Sequence, residues 1–562
     1  MSRFNLVREK WISVITENSG TTKEVSLLDI FENAEDYISI AGDSKAQDFA
    51  VLRILLSILH TVFSRYDFEG EAYEFIELDD NMIPISSIDL DNEVDYEDSL
   101  YETWQKLWGN GKFPVIVREY LEKWEEHFYL LDDKYPFLQV IEGDLTPDKI
   151  SKSKASSFSG RNLNRLISES GNKIALFSPK YSDGINKDLL TFSEIARWTI
   201  ALHGYIGLSD KVMFGKEKYK SSKGWLFDLG GIYIEGNNLF ETLMLNLILV
   251  QEDYNYKNSI QMPAWEMNSE EVIKRHFNIN NPDNISELYT RWSRAIYIDP
   301  EIDIGKPFNM SIVKLPDLDH CDYFLEPMTI WKYNRDGENK GKSTPRKHRL
   351  NQSLWRSFGL LTLSSKDNED EKYRRPGVIN WLNKQRKFIG NTNIKINMIS
   401  MMDDSNATSW VPVDEIYDFI NVNELVMTDL REEGWVPRIR DVVEETKRVV
   451  ESIYKSLLLD IKDIRNLSSN DFVNQEVEKI YFLLDQPFRD WIVNIKPNDL
   501  KDEKVFIWRK ILEDIVINQA KLLIDSFGPR DFIGIENEKE KSIKNIATAY
   551  NKFINRMNIA MK

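Results

Sequence analysis

The chain has 562 residues, a formal net charge of −19, and 42% apolar and 12% aromatic side chains. It is too long for one core and too apolar for overall disorder, so several packed domains are expected. The single cysteine, Cys321, excludes an intrachain disulfide and an all-cysteine zinc site, while the acidic balance argues against a free-standing nucleic-acid binder, which needs cations to meet phosphate.

The opening "MSRFNLVREKWISVI" lacks an apolar signal-peptide region, which predicts a cytoplasmic protein. Trp11, Ile12, Val14 and Ile15 predict a strand, followed by an "NSG" turn. The stretch "AQDFAVLRILLSILHTVF" is apolar around most of a helix. Arg53, Ser57 and His60 make it too polar for a bilayer span, so it reads as a buried helix. In "HFYLLDDKYPFLQV" aromatics flank a turn, and Pro136 restricts Tyr135. Residues 146–180 are rich in Ser, Lys and Asn and predict a long loop. Within 201–247, glycines and lysines precede an apolar helix, a pattern shared by phosphate cradles and by structural turns. Gly230, Gly231 and Gly236 fail the dinucleotide-binding spacing. Short strands are expected at "GGIYIEG", "AIYI" and "YFLEP", and a mobile segment at 336–350.

The C-terminal third changes character. Ile439, Val442, Val443, Thr446, Val450, Ile453 and Leu457 follow helical spacing, as do Val473, Val477, Ile480 and Leu484. A third stripe is Trp508, Ile511, Leu512, Ile515 and Leu522; a fourth is Ile543, Ile546, Ala547, Tyr550, Phe553, Ile554 and Met557. Four amphipathic helices in series predict an antiparallel four-helix bundle, with Pro487 kinking or interrupting the second helix. The fold class expected is α+β: a large irregular mixed α/β domain over 1–400, then the bundle over 401–562.

No phosphate-loop, HExxH, GxSxG or kinase signature is present. His60, His127, His203, His276, His320 and His348 are scattered, and His320–Cys321 are sequence neighbours, which seldom ligate together. Asp403 and Asp404 are ordinary in an acidic chain. No catalytic residue, cofactor or metal is expected, and the chain is read as a non-enzyme. Two basic islands interrupt the acidity: 340–387 holds 13 Lys/Arg against 4 Asp/Glu, and 148–180 holds 7 against 2. They fit either solvated loops or local phosphate contacts.

The ordered series "FNLVREKWISVI", "EVSLLDIF", "DKYPFLQV", "GNKIALF", "EGNNLFETLMLNL", "MPAWE" and "LYTRWSRAIYI", ending in the helical stripes, resembles the CasA family, the large subunit of the type I-E CRISPR surveillance complex Cascade. The resemblance implies a subunit that reads the protospacer-adjacent motif (PAM) in double-stranded target DNA, mostly from the minor groove. It implies strand opening beside that motif, while guide RNA pairing reads the rest. It also implies contacts with the guide RNA, with the small and backbone Cascade subunits, and with a helicase–nuclease effector, and no membrane partner.

Three elements carry the implied site. The first is the guide RNA/PAM loop with Gly160, Arg161, Asn162, Asn164 and Arg165, where the arginines would hold phosphate and the asparagines bases or backbone. The second is a glycine loop with Gly171, Asn172 and Lys173, where glycine admits backbone to the minor-groove floor. The family's loop is richer in glycine than this one. The third is a hairpin near 400–410 with Ser405, Asn406, Ala407 and Thr408. Asn406 stands where the family can place a longer, wedging glutamine. Lys314 is nearest by position to the family's groove-directed lysine. On this reading "GGIYIEGNN" is a structural turn before a core helix. Two other functions remain open: a structural protein–protein scaffold without PAM readout, and an unrecognised hydrolase using scattered acids.

Overall fold

The computed structural model describes the chain except for residues 1–3, 17–19, 169–175, 177–184, 209–211, 254–255, 258, 279–280, 365–373, 406–410, 538–541 and 562. The chain forms two compact units. The first gathers Met1–Arg349, Leu363–Phe388 and Ile396–Asp418; the second gathers Leu350–Thr362, Ile389–Lys395 and Phe419–Lys562.

The first unit is built around the helix Lys45–Phe63. Ser44 caps it by accepting the Gln47 N–H at 3.1 Å, and every residue after Lys45 is buried. This helix is long and apolar enough to cross a membrane, yet it is wholly enclosed by protein. A helix apolar on all sides is the centre of a core. The helices Phe192–Tyr205 and Ile285–Tyr289 pack against it. Arg53 on the core helix meets Glu326 in a bidentate pair, at 2.9 and 2.7 Å. Trp225 Nε1 and the Met328 N–H also donate to that carboxylate, so the buried charges are fully hydrogen-bonded.

Small antiparallel sheets wrap this core. Strands β1 (Ile12–Thr16), β2 (Thr22–Val25) and β3 (Tyr37–Ile40) form one, in the order β2-β1-β3. Strand β4 (Ser156–Ser159) pairs with β7 (Asn309–Lys314), which pairs with β6 (Arg294–Tyr297); β5 (Gly231–Glu235) belongs to a different sheet. Strands β8 (Trp331–Tyr333) and β9 (Ser343–Pro345) make a hairpin. The long strands β10 (Asn393–Asp403) and β11 (Pro412–Asn423) join β5 in the order β11-β10-β5.

Several sequence expectations are corrected here. "YFLEP" is a buried irregular segment and not a strand: Asp322 has φ of 55°, outside the extended region, while Tyr323 and Leu325 are core. The stretch 336–350 contains β9, and its His348 is buried. The polar stretch 146–180 contains β4 and a π-helical turn Asn162–Leu166 among its described residues.

In the second unit, Trp435–Arg448 runs through a π-helical turn Val449–Tyr454 into Lys455–Ile464. With Asp471–Val493, Lys501–Asp525 and Ile546–Ala560 this makes four helical rods packed on one another. Trp508 donates to Thr446 Oγ1 at 2.9 Å and meets Phe488 edge-on at 5.0 Å. The segment Leu350–Thr362 is stapled to these rods. Trp355 stacks on Phe488 at 4.4 Å and donates to Asp485, and Arg356 lies 3.4 Å from the Tyr481 ring centroid. Pro487 does not interrupt its helix, which continues to Val493. The carbonyl it leaves without an N–H is that of Leu483, a partly exposed residue on the outer face. Leu522 faces outward, and Ile543 sits in a short hairpin of β12 (Ile535–Asn537) and β13 (Ser542–Lys544), not in the last helix.

Candidate nucleic-acid interface

The loop after β4 is fixed by the sheet beneath it. Ser159 is in register with Asn309 of β7. The next residue, Gly160, donates its N–H to the Phe308 carbonyl at 2.9 Å. A Cβ on Gly160 would overlap the Asp188 carbonyl oxygen, so only glycine lets the two backbones meet. Phe308 in turn donates to that carbonyl at 2.8 Å. The loop after β4, the turn Ile185–Asp188 and the β6–β7 connection are thereby drawn to one end of the sheet.

Arg161 is anchored by its backbone, which donates to Asp188 Oδ1 at 2.9 Å, and its guanidinium sits 3.6 Å from Oδ2, half exposed. Asn162 is committed internally: Ser159 Oγ donates to its Oδ1 at 3.0 Å, and its Nδ2 donates to the Ser168 carbonyl at 2.7 Å. Leu163 is buried and holds the turn to the core. Asn164 and Arg165 are different in kind. They are 8% and 3% exposed, yet Asn164 Oδ1 and Arg165 Nε and Nη2 have no hydrogen-bond partner among the described residues. Buried polar atoms are nearly always paired, so a set of unpaired ones marks strain or a ligand. Burial lowers the Arg165 pKa and the Arg161 charge adds to this, with Asp188 opposing. An anion placed here would pair the free Arg165 donors, offset their desolvation and screen Arg161, whereas Asn164 Oδ1 calls for a hydrogen-bond donor.

The hairpin of β10 and β11 closes through Asp404, whose N–H donates to the Val411 carbonyl at 3.1 Å. Ser405 is exposed with φ of 55°, and its N–H donates to Asp403 Oδ1 at 2.9 Å. The ends of the two long strands are thus tied together at Asp404 and Val411. Asn406, Ala407 and Thr408, as well as Gly171, Asn172 and Lys173, lie outside the described residues.

Lys314 is corrected. It ends β7 with its side chain turned inward, 5% exposed, and its backbone carbonyl accepts from Tyr219 Oη and the Phe214 N–H. A side chain enclosed in this way cannot reach a groove. Sequence reasoning did not single out Lys306, which is 76% exposed on the β6–β7 connection with Nζ 3.5 Å from Asp303 Oδ2. Phe308, two residues on, is bonded to Gly160, so Lys306 shares the sheet end with Arg161. The signal was present as "GKP", a turn between two short apolar strands.

Part of the 340–387 island is already paired. In the first unit Lys347 meets Asp403 at 2.8 Å, Lys384 meets Glu252 at 3.6 Å, and Arg374 lies 3.6 Å from the Phe324 ring centroid. Trp355 and Trp381 are core residues. The histidines read as structural too. Burial pushes His60 down to about 3 and His203 and His348 down to about 4, and His320 stacks on Trp225 at 4.2 Å. Among the described residues no His, Cys, Asp and Glu side chains are grouped as a metal would need.

The family model for CRISPR-associated protein Cse1 matches residues 5–519. The CRISPR-associated protein CasA/Cse1 of Thermus thermophilus is 24% identical over 275 residues, which span 48% of this chain and 43% of that protein. Among solved structures, Thermobifida fusca Cse1 superimposes with a TM-score of 0.76 at 22% identity, covering 99% of this chain and 98% of that one. Acidimicrobium ferrooxidans Cse1 gives 0.69 at 18%, covering 99% and 98%. A chain of a CRISPR RNA-guided surveillance complex gives 0.64 at 13%, covering 99% of each. The structural likenesses speak to the fold, and the match across most of the sequence speaks to descent: this chain belongs to the CRISPR-associated Cse1 family.

Proposed function

We propose that the chain is the non-catalytic large subunit of a cytoplasmic RNA-guided CRISPR surveillance complex. In this reading it inspects the PAM in double-stranded DNA, starts strand separation beside it, and helps recruit the helicase–nuclease. The observation that carries the reading is the loop Gly160–Arg165, in which a buried arginine and asparagine hold unpaired polar atoms beside a half-exposed arginine. The arginine donors suit a phosphate, which guide RNA and target DNA share, and the Asn164 carbonyl oxygen suits a donor such as a ribose hydroxyl or a base N–H. Lys306 takes the place assigned to Lys314 as the outward cation of this sheet end. The glycine-bearing loop at 171–173 and the polar tip at 405–408 supply the minor-groove and wedging contacts. A short side chain such as Asn406 reaches less far into a base stack, so unstacking relies more on groove contacts, which must offset a cost of roughly a few kcal/mol per step.

The test is capture of PAM-containing duplex by the reconstituted complex at stated salt. Lys173→Ala and Asn406→Ala are expected to weaken capture while assembly and guide RNA content stay unchanged. Equal affinity of both variants and the parent would leave the chain as a protein–protein scaffold.

A further inference from the structure

The hairpin that carries Ser405 and Asn406 is held at its base by a lysine distant in sequence. Lys347 follows β9, in a stretch threaded along β10. The neighbouring His348 donates its backbone N–H to Ser400 Oγ at 3.0 Å, and its Nε2 pairs with the Gly231 carbonyl at 3.0 Å. This backbone is therefore fixed on both sides. From it the Lys347 side chain reaches Asp403, the last residue of β10, with Nζ 2.8 Å from Oδ2. The same Nζ is 3.7 Å from Asp228 Oδ1 and 4.1 Å from the Phe227 ring centroid. Lys223 pairs with Asp228 from the other side. The result is an alternating chain, Lys223–Asp228–Lys347–Asp403, laid over an aromatic ring. All of its members are at least partly shielded, and such pairs are screened less by salt than exposed ones.

Asp403 has two tasks. Its Oδ2 takes Lys347, and its Oδ1 accepts the Ser405 N–H at 2.9 Å. That second bond closes a side-chain-to-backbone turn, which lets Ser405 keep φ at 55°. An aspartate free to change rotamer would open the turn. One whose other oxygen is pinned by Lys347 cannot rotate without losing an ion pair. We infer that Lys347 is a positioning residue for this end of the hairpin: by locking the Asp403 rotamer it fixes the turn at Ser405, where the chain leaves β10. The consequence for DNA rests on the reading proposed above; the positioning itself does not.

The experiment separates the two. Hydrogen exchange of the isolated full chain is followed in peptides covering 402–412, for the parent, Lys347→Met and Lys347→Arg. Methionine keeps the apolar stem over Phe227 and removes the charge, so exchange in 402–412 is expected to quicken about five- to tenfold, while the helix Lys45–Phe63 stays protected. Arginine restores the charge and most of the protection. Unchanged exchange in 402–412 for Lys347→Met overturns the inference. If Lys347→Met loosens the whole unit, Asp403→Asn replaces it, because asparagine keeps the turn bond to Ser405 and loses only the ion pair. In the assembled complex, the ratio of affinities for duplexes with intact and scrambled PAM is expected to fall for Lys347→Met and recover for Lys347→Arg. Faster exchange with no effect on capture from either Lys347→Met or Asn406→Ala supports the positioning and defeats the DNA reading. Faster exchange with capture weakened by Asn406→Ala alone supports the positioning and overturns its consequence for DNA.

Discussion

Replacing Arg165 with leucine separates what this residue does for the fold from what it does for a ligand. Its Nε and Nη2 are buried without a partner among the described residues, and an unsatisfied buried donor costs about 1–3 kcal/mol. Repulsion from Arg161 adds to the cost and attraction to Asp188 returns part of it. Leucine keeps the aliphatic contact and removes both the orphaned donors and the charge. The isolated chain is expected to gain about 1 kcal/mol, read as a rise of about 1–2 °C in melting temperature for a chain of this size. In the complex the same change deletes a charge-assisted phosphate contact worth about 1.5 kcal/mol, so affinity for the nucleic acid it touches falls about tenfold. The slope of log affinity against log salt becomes shallower by about 0.7 for a single strand or 0.9 for a duplex. The assays are thermal unfolding of the isolated chain and binding titrations at several salt concentrations. A variant that melts below the parent, with affinity and salt slope unchanged, refutes the reasoning and makes Arg165 a structural residue.

Arg53→Met leaves Glu326 buried against Trp225 and Met328 without its cation, so it is expected to destabilise the first unit by about 3–5 kcal/mol in denaturant unfolding; adding Glu326→Leu should recover much of that loss. Gly160→Ala forces a Cβ against the Asp188 carbonyl and is expected to raise exchange in 158–168 and weaken nucleic-acid binding together, a pairing that proteolysis and titration can check. His348 stays neutral in the fold down to about 4, whereas the unfolded chain protonates it near 6.5. Its contribution is therefore complete above about 6.5 and lost as the pH falls from there to about 4, up to about 3 kcal/mol. His348→Gln should flatten the stability–pH curve in that window relative to the parent, and identical curves would refute the assignment.

How much of this was legible in the sequence depended on whether local pattern and tertiary environment agreed. The core helix was legible because apolar side chains cover its whole circumference, and the helical stripes because Ile439, Val443, Leu457, Leu484 and Phe553 recur at the period of one buried face. Pattern failed where burial came from elsewhere. "YFLEP" is apolar because it lies under Arg53 and Trp225, not because it alternates as a strand. Leu522 and Ile543 fit a helical stripe yet face outward, since period alone does not say where the rod ends. The loop Gly160–Arg165 was found through resemblance. Its sequence shows polar residues, but that Asn162 is internally satisfied while Asn164 and Arg165 are not depends on the backbone of Ser168 and Asp188. Lys314 was misplaced because a lysine at the end of a strand ordinarily points to solvent, and here the register of β7 turns it inward.

The most direct measurement compares a reconstituted surveillance complex carrying this chain, the same complex with Asn406→Ala, and the complex assembled without the chain. Each is titrated with target duplexes whose PAM is intact or scrambled, at one fixed salt concentration. The account predicts a strong preference for the intact motif with the parent chain, a reduced preference with the variant, and none without the chain. Undiminished discrimination and strand opening by the complex lacking the chain would contradict it.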